Sequence, residues 1–421
     1  MIWSTLCMYP GNPKVISEWL ARGQNAPLSV IAEFSDAYEH GPCRYEDTPA
    51  AILADTDDLE VCPRHEAVLS LDQLLPHRSR ISDLDISIHS SDPDWYGNDR
   101  GGEPMLLYHD FFEGALPNLQ RLDFCAALVE QTGFTIPIPD SLFAGRLPRL
   151  KELKYLGVNG GLTKTVKDLV SCEIGAWSSS DGSIIISPEV LRMLFDNNKS
   201  VKSLIIYHCK VFGPNRRVTT ATSMTHLKLL KIRSYFRHDL EAILSYMHVP
   251  QFKNLNTVRL SLRACYVDVV ATDGSGHTFE FIQSISDDLD FYPLRHLGAH
   301  ITTLRLDRRA TQHYPGTGLE GFFRSLDAVQ VPEFNGETAP VSNVLSIAGV
   351  FPALRVIRVL VCRDGCERSL QLLTTVLRMR MAEGNPLTRV EPLFVKDDDG
   401  LGCAGWARHY EAEGIQNFLS K

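Results

Sequence analysis

The chain of 421 residues has no apolar run approaching the roughly 20 residues that carry a helix across a bilayer. Its start, MIWSTLCMYPGNPK, has no charged segment leading into an apolar one, so it does not read as a secretory signal. The phosphate loop G-x-x-x-x-G-K-[ST] is missing, and Gly274-x-Gly276 has no third glycine at the spacing a dinucleotide loop needs. Neither the nucleophile elbow G-x-S-x-G nor the zinc-protease motif H-E-x-x-H occurs. Excess positive charge is also lacking: the net charge is −9, which argues against a general binder of nucleic acid or anionic membrane. The ten cysteines are scattered, with Cys172, Cys209 and Cys265 inside apolar segments, as reduced core thiols of a cytoplasmic or nuclear protein would be. Runs such as Asp57-Asp58, Asp287-Asp288 and Asp397-Asp398-Asp399 are solvated acidic stretches, and no pair of carboxylates is marked out for acid–base work.

What the chain does contain is a recurring frame, L-x-x-L-x-φ, where φ is apolar. It is clearest at Leu227-Leu230-Ile232 and again at Leu255-Val258-Leu260, 28 residues on, with a helix-period run of Leu240, Ile243, Leu244 and Met247 between them. The same frame appears at Ile81-Leu84-Ile86, Leu119-Leu122-Phe124, Leu150-Leu153-Tyr155, Leu169-Cys172-Ile174 and Val201-Leu204-Ile206. It continues at Ile301-Leu304-Leu306, Phe323-Leu326-Ala328, Leu354-Ile357-Val359 and Leu387-Val390-Pro392. From Leu84 to Val390 the second anchors advance in ten steps of about 31 residues each. A strand this short cannot bury its apolar side chains alone, and repetition at this period is the signature of a solenoid whose units cover one another. A doubly wound α/β enzyme also alternates strands and helices; the number of frames favours the solenoid. The expected fold is therefore α/β, an irregular leucine-rich-repeat horseshoe with parallel strands on the concave face and helices outside.

Taken in order, Asn12-Pro13 followed by Val15, Ile16, Trp19, Leu20 and Gly23 predicts a capped helix, and residues 27–34 predict a first strand. Residues 1–60 are expected to form an N-terminal cap, and 61–421 the solenoid. Glu66–Leu75 predicts the next helix. Loops are expected at Tyr38–Asp58, Ser90–Pro104, Ala176–Ser183 and Ala271–His277, the last filling the long gap between Leu260 and Leu304. Asp92, Asp94 and Asp99 lack the register of a calcium loop. His40-x-x-Cys43 with Cys62-x-x-His65 has zinc-ligand spacing, but little else between the pairs resembles a zinc module, and no metal is expected. Cys362 and Cys366 have no second pair in sequence. The acidic, glycine-rich stretch after Val395 precedes a predicted closing helix with Trp406, Tyr410, Ile415 and Phe418.

Several of these stretches share wording with a known family. Ile2-Trp3-Ser4, then residues 15–22 (VISEWLAR), then Ala26-Pro27-Leu28-Ser29-Val30 resemble the region just after the F-box in fungal F-box/leucine-rich-repeat-like proteins. Residues 77–84 (HRSRISDL), 116–122 (LPNLQRL) and 143–153 (FAGRLPRLKEL) are similar to that family's repeats. The F-box itself is not in the sequence. The resemblance implies the substrate-recognition part of a ubiquitin-ligase receptor, with a Skp-type adaptor bound only if an F-box lies upstream. The alternative is a leucine-rich-repeat scaffold without a ligase connection. An enzyme is not expected, nor is a cofactor; the expected partner is a protein, with neither nucleic acid nor membrane.

In each frame the fourth and sixth residues point inward, so the fifth points outward on the strand face. Down the frames that position reads Asp85, Asp123, Lys154, Glu173, Ile205, Lys231, Arg259, Arg305, Asp327, Arg358 and Glu391. Lys and Arg make up 42 of 421 residues, so about one of these eleven would be basic by chance, or about two given exposure. Five are. Lys154, Lys231, Arg259, Arg305 and Arg358 are therefore the candidate binding stripe, suited to an acidic segment of a partner protein. The plainer reading is solubilising charge on an exposed strand face.

The frames also make a stability prediction. Leu230→Ala or Leu304→Ala should each cost about 2–5 kcal/mol through lost burial and the cavity left behind. Unchanged denaturant midpoints in both variants would disprove the register.

Overall fold

The computed structural model describes residues 5–8, 13–35, 63–90, 110–128, 136–138, 142–145, 147–160, 165–176, 184–211, 221–234, 237–262, 266–284, 300–306, 326, 328–335, 353–354, 356–361, 378, 382 and 389–394. The fold is mixed α/β. The chain divides into two compact units, residues 1–226 with Ser245–His248, and Leu227–Leu244 with 249–421.

The first unit is built on seven strands: β1 (Thr5–Met8), β2 (Leu28–Ser35), β3 (Ile81–Ser90), β4 (Arg121–Leu128), β5 (Glu152–Leu156), β6 (Ser171–Gly175) and β7 (Ser203–Tyr207). All pair in parallel and in chain order. β2, inside the expected N-terminal cap, pairs along its length with β3, so the cap shares one sheet with the frames that follow. β1 was not foreseen.

β4, β5 and β7 are entered through the same tight turn, whereas before β6 the anchor Leu169 donates instead to Asn198 Oδ1. A backbone N–H donates three residues back just before the strand: Leu119 to Leu116, Leu150 to Leu147, and Val201 to Asn198 in this unit. The donor is the first anchor of the frame, an apolar residue turned into the core. Ile81, Leu119, Leu150, Leu169 and Val201 are all 0–1% exposed. Immediately afterwards one carbonyl of the preceding strand's entry accepts two successive N–H groups. Gln120 O takes Lys151 and Glu152 at 2.7 and 3.0 Å, Lys151 O takes Val170 and Ser171 at 2.8 and 3.1 Å, and Val170 O takes Lys202 and Ser203 at 2.8 and 3.2 Å. The register from strand to strand is thereby fixed. Leu84, Leu122, Leu153, Cys172 and Leu204 form one buried row, and Ile86, Phe124, Tyr155, Ile174 and Ile206 the next.

Helices are few. α1 (Pro13–Gly23) buries Ile16 and Leu20, while Val15, expected on the apolar face, is 64% exposed. α2 (Pro63–Leu74) packs on α1 and runs into a 3-10 turn, Leu75–Arg80. α3 is only Asp110–Glu113, yet its Phe111 and Phe112 are fully buried edge-to-face at 5.3 Å. α4 (Pro188–Asn197) starts at Ser187, whose hydroxyl accepts from the Val190 N–H, the favoured N-cap arrangement. Between β5 and β6 no helix occurs among the described residues; the chain turns at Gly157, where φ is +74° and an added Cβ would lie 1.7 Å from the Ala126 carbonyl oxygen. Asn198, at the end of α4, is 2% exposed and binds three backbone groups. Its oxygen accepts from Leu169 N at 3.0 Å, and its amide donates to Val166 O and Leu194 O at 3.2 and 2.7 Å.

The second unit holds β8 (Leu229–Ser234), α5 (Arg237–Ser245), β9 (Thr257–Leu262), β10 (Tyr266–Thr272), β11 (Thr278–Ser284), β12 (Thr303–Leu306), β13 (Val331–Asn335), β14 (Val356–Val361) and β15 (Arg389–Phe394). The strand order is β8-β11-β10-β9-β12-β13-β14-β15, parallel throughout except at β10. The loop expected at 271–277 is the turn of a hairpin whose two strands were not foreseen, and these strands separate the frames at Leu227 and Leu255 in the sheet. β9, β10 and β11 form an antiparallel meander, so β8 pairs with β11 and two strands separate it from β9. The turn is held by Asp273, whose carboxylate accepts from the Ser275 and His277 N–H groups and from the His277 ring. Burial alone would raise the Asp273 pKa; these donors reverse the effect and lower it. The recurrent turn returns at Leu255 (to Phe252) and Val329 (to Leu326), and Asn256 O takes the N–H groups of both Thr302 and Thr303.

The frame placed at Phe323-Leu326-Ala328 also shifts. β13 sets Pro332 opposite Leu304 and Phe334 opposite Leu306, so the frame is Val329-Pro332-Phe334 and Glu333, not Asp327, holds its fifth position. The other anchors whose burial is described hold: Leu227, Leu230, Leu255, Val258, Ile301, Leu304 and Leu354 are 0–1% exposed, while the side chains of Ile357, Leu387 and Val390 lie outside the described residues. Leu240 and Ile243 of α5 are buried too, but Met247 lies in a two-residue strand paired with Thr222–Ser223 in the first unit. Among the described residues no helix is long and apolar enough to cross a membrane, which says nothing of a β-barrel. The expected loops at 38–58, 91–104 and 177–183 lie outside the described residues. So do Cys265, Cys362, Cys366 and the closing helix.

Replacing Asn198 with Ala strands one backbone donor and two acceptors in the core, each costing about 1–3 kcal/mol. The urea midpoint of Asn198→Ala should fall at least as far as that of Leu304→Ala. A smaller fall would mean that the three backbone groups find other partners.

Candidate functional site

Because the strands pair with no stagger across the frames, the positions between the two anchor rows line up as a row of their own. In the first unit the row runs Ile31, Asp85, Asp123, Lys154, Glu173, Ile205. In the second it runs Lys231, Glu280, Val270, Arg259, Arg305, Glu333, Arg358, Glu391.

All five residues of the expected basic stripe fall on these rows, Lys154 in the first unit and the other four in the second. The stripe is not uniformly basic, however. Lys154 is flanked by Asp123 and Glu173 and donates to Asp123 at 3.0 Å. Lys231 is paired with Glu280, a residue supplied by β11 and absent from the frame count. Arg358 has Glu333 and Glu391 as its register neighbours. Arg259 and Arg305 are directly opposite each other on β9 and β12, both exposed, and Arg305 has Glu333 on its other side. Like charges in directly opposed positions repel, so this pair concentrates positive charge within an otherwise mixed row. Thr257 and Thr303 sit opposite each other two residues earlier on the same strands.

The first unit's row is acidic and more enclosed. The Asp123 side chain is 8% exposed and that of Lys154 33%. Burial raises the Asp85 pKa and the neighbouring Asp123 carboxylate raises it further, with Lys154 and Arg121 acting against both. For Lys154, burial lowers the pKa, but the bond to Asp123 and the surrounding carboxylates outweigh it and the net shift is upward. Burial pushes the Cys125 thiol, outward on β4, up to about 12, so it is no nucleophile at neutral pH.

Among the described residues no three His, Cys, Asp or Glu side chains come together as a metal site. His40, Cys43 and Cys62, and the side chain of His65, lie outside the described residues. So does a glycine pattern that motif reading passed over, Gly316-Thr317-Gly318-Leu319-Glu320-Gly321, which has dinucleotide-loop spacing but begins ten residues after β12 ends. Glu280 and Glu333 are the row residues that sequence reasoning missed. For Glu280 a signal existed: Asp273-Gly274 flanked by alternating apolar residues marks a hairpin.

Compared with protein-family models and with curated protein sequences, the chain matches none.

Asp85 yields a pH prediction. An acid whose folded pKa is raised binds its proton more tightly in the native state, so the stability it contributes is present below its ordinary value of 3.8 and is lost as pH rises through the folded value. At pH 7 Asp85→Asn should therefore raise the urea midpoint. The gain should shrink on acidification and vanish below pH 3.8, where Asp85 is protonated in both states. A variant destabilised at pH 7 would show that Asp85 is held by favourable contacts instead.

Proposed function

We propose that the chain is a protein-interaction module, an irregular leucine-rich-repeat solenoid whose binding surface is the outward charged row. Support for the solenoid comes from the recurring turn, the first anchors buried at each strand entry, and the parallel pairing without stagger. The row itself carries the functional reading: charged side chains held at successive strand positions can read another protein's charge pattern. Its mixed sign suits a protein surface better than a polyanion, in keeping with the net charge of −9. Arg259 and Arg305 are its basic focus and take an acidic segment of the partner. The resemblance to fungal F-box/leucine-rich-repeat-like proteins makes that partner a ubiquitin-ligase substrate, recognised in the cytoplasm or nucleus. A scaffold without a ligase connection would use the same row.

The test is fluorescence anisotropy with a labelled peptide of alternating glutamate and serine. The unmodified chain should bind it, more weakly as salt rises. The double variant Arg259→Glu and Arg305→Glu should lose at least about tenfold in affinity, equivalent to 1.4 kcal/mol, with an unchanged circular dichroism spectrum. Equal affinity in the two proteins would remove the arginine pair from the binding surface.

A further inference from the structure

The first unit's row has a second, opposite feature. Asp85 and Asp123 are register partners on β3 and β4 and project from the same face. Lys154 Nζ satisfies Asp123 Oδ2 at 3.0 Å. The other oxygen, Asp123 Oδ1, is buried and no group in the structure donates to it. A carboxylate oxygen desolvated without a donor is unfavourable, which makes it a position where an added donor gains most. The local charge points the same way. Asp85, Asp123 and Glu173 outnumber Lys154 in the row, and in the row before it Asp83 and Glu152 flank Arg121. Asp85, unlike Asp123, is only partly buried, so the pair reaches solvent on the Asp85 side.

We propose that Asp85 and Asp123 form a receiving site for a lysine or arginine side chain from a basic segment of the partner protein. The inference rests on the reading of the outward row as a binding face. It adds an acceptor of positive charge to the arginine pair of the second unit. A guanidinium or ammonium entering beside Asp85 would donate to Asp123 Oδ1 while Lys154 keeps Oδ2, so the incoming cation completes the carboxylate without displacing the internal pair. The charge argument favours a cationic side chain over a metal ion, because no third ligand among the described residues joins the two aspartates.

The experiment measures binding of a fluorescein-labelled nine-residue peptide of alternating arginine and serine to the full chain at low salt. Three proteins are compared: the unmodified chain, Asp85→Asn with Asp123→Asn, and Glu18→Gln with Glu189→Gln, which removes the same charge at exposed helical positions. The aspartate variant should bind at least tenfold more weakly and the helical control within twofold of the unmodified chain. Asp85→Asn alone, at a part-exposed position, should lose at least threefold and keeps the test readable should the double variant fail to fold. Absence of binding to the unmodified chain, or an equal loss in the two double variants, would overturn the site. Concentration-dependent self-association of the unmodified chain that disappears in the aspartate variant would give the site to a second copy and overturn the choice of occupant. The Arg259→Glu and Arg305→Glu protein should bind the arginine peptide undiminished. If the glutamate peptide fails but the arginine peptide binds through the aspartates, the arginine pair falls and this site stands; the reverse result overturns this site alone.

Discussion

One backbone arrangement governs much of the rest: a carbonyl at a strand entry that accepts two successive N–H groups from the next strand. Gln120, Lys151, Val170 and Asn256 all do this. A single oxygen shared by two donors tolerates little sliding, so each strand begins level with the one before. The tight turn just upstream places an apolar anchor in the core and aims the following N–H groups at that oxygen. Burial and hydrogen bonding therefore select the same register, and a slip of one residue would turn every inward side chain outward.

That register has an electrostatic result. All-parallel sheets are usually covered on both faces and read as continuous apolar runs. Here the positions between the buried rows carry aspartate, glutamate, lysine and arginine, brought side by side because the strands share one starting level. Most are neighbours of opposite sign, as at Asp123–Lys154 and Lys231–Glu280. The two departures, Arg259 beside Arg305 and Asp85 beside Asp123, place like charges opposite one another in different units. For Asp85 this is accompanied by a carboxyl held protonated to higher pH than usual. Natural proteins retain such unfavourable neighbours where the positions serve binding rather than stability.

The core of this fold was legible because its period lies in single residues: Ile81, Leu119, Leu150, Leu227, Leu255 and Ile301 recur as buried plugs wherever the frame is found. Two things were not legible from the frame. Its neighbours in sequence were taken as neighbours in space, although the alternation of Val269, Ala271, Phe279 and Phe281 around Asp273-Gly274 marks a hairpin that intervenes. Proline at 332 also obscures the frame of β13, since proline counts against a strand interior, and the frame lies six residues later than the expected one at Phe323. Both errors fell on the candidate site. They removed Glu280 and Glu333 from the row and made a mixed row look basic. The sparseness of helices escaped too, because turns of 3-10 type and a glycine at 157 carry the chain back where helical crossovers were expected.

The meander of β9, β10 and β11 also bears on how the chain folds. In a repeat array each unit closes on its predecessor, and order spreads by short steps. β8 breaks that sequence of short steps, because its partner β11 lies some fifty residues downstream, beyond α5 and two further strands. Residues 257–284 can meanwhile zip locally around the Asp273 turn, with little loop entropy to overcome. The finished hairpin then docks on β8, with Phe279 already stacked on Phe252 at 4.8 Å and packed against Phe281. The meander thus has the most local strand pairings of the second unit and the lowest loop-closure cost, whereas β8 depends on a partner far along the chain.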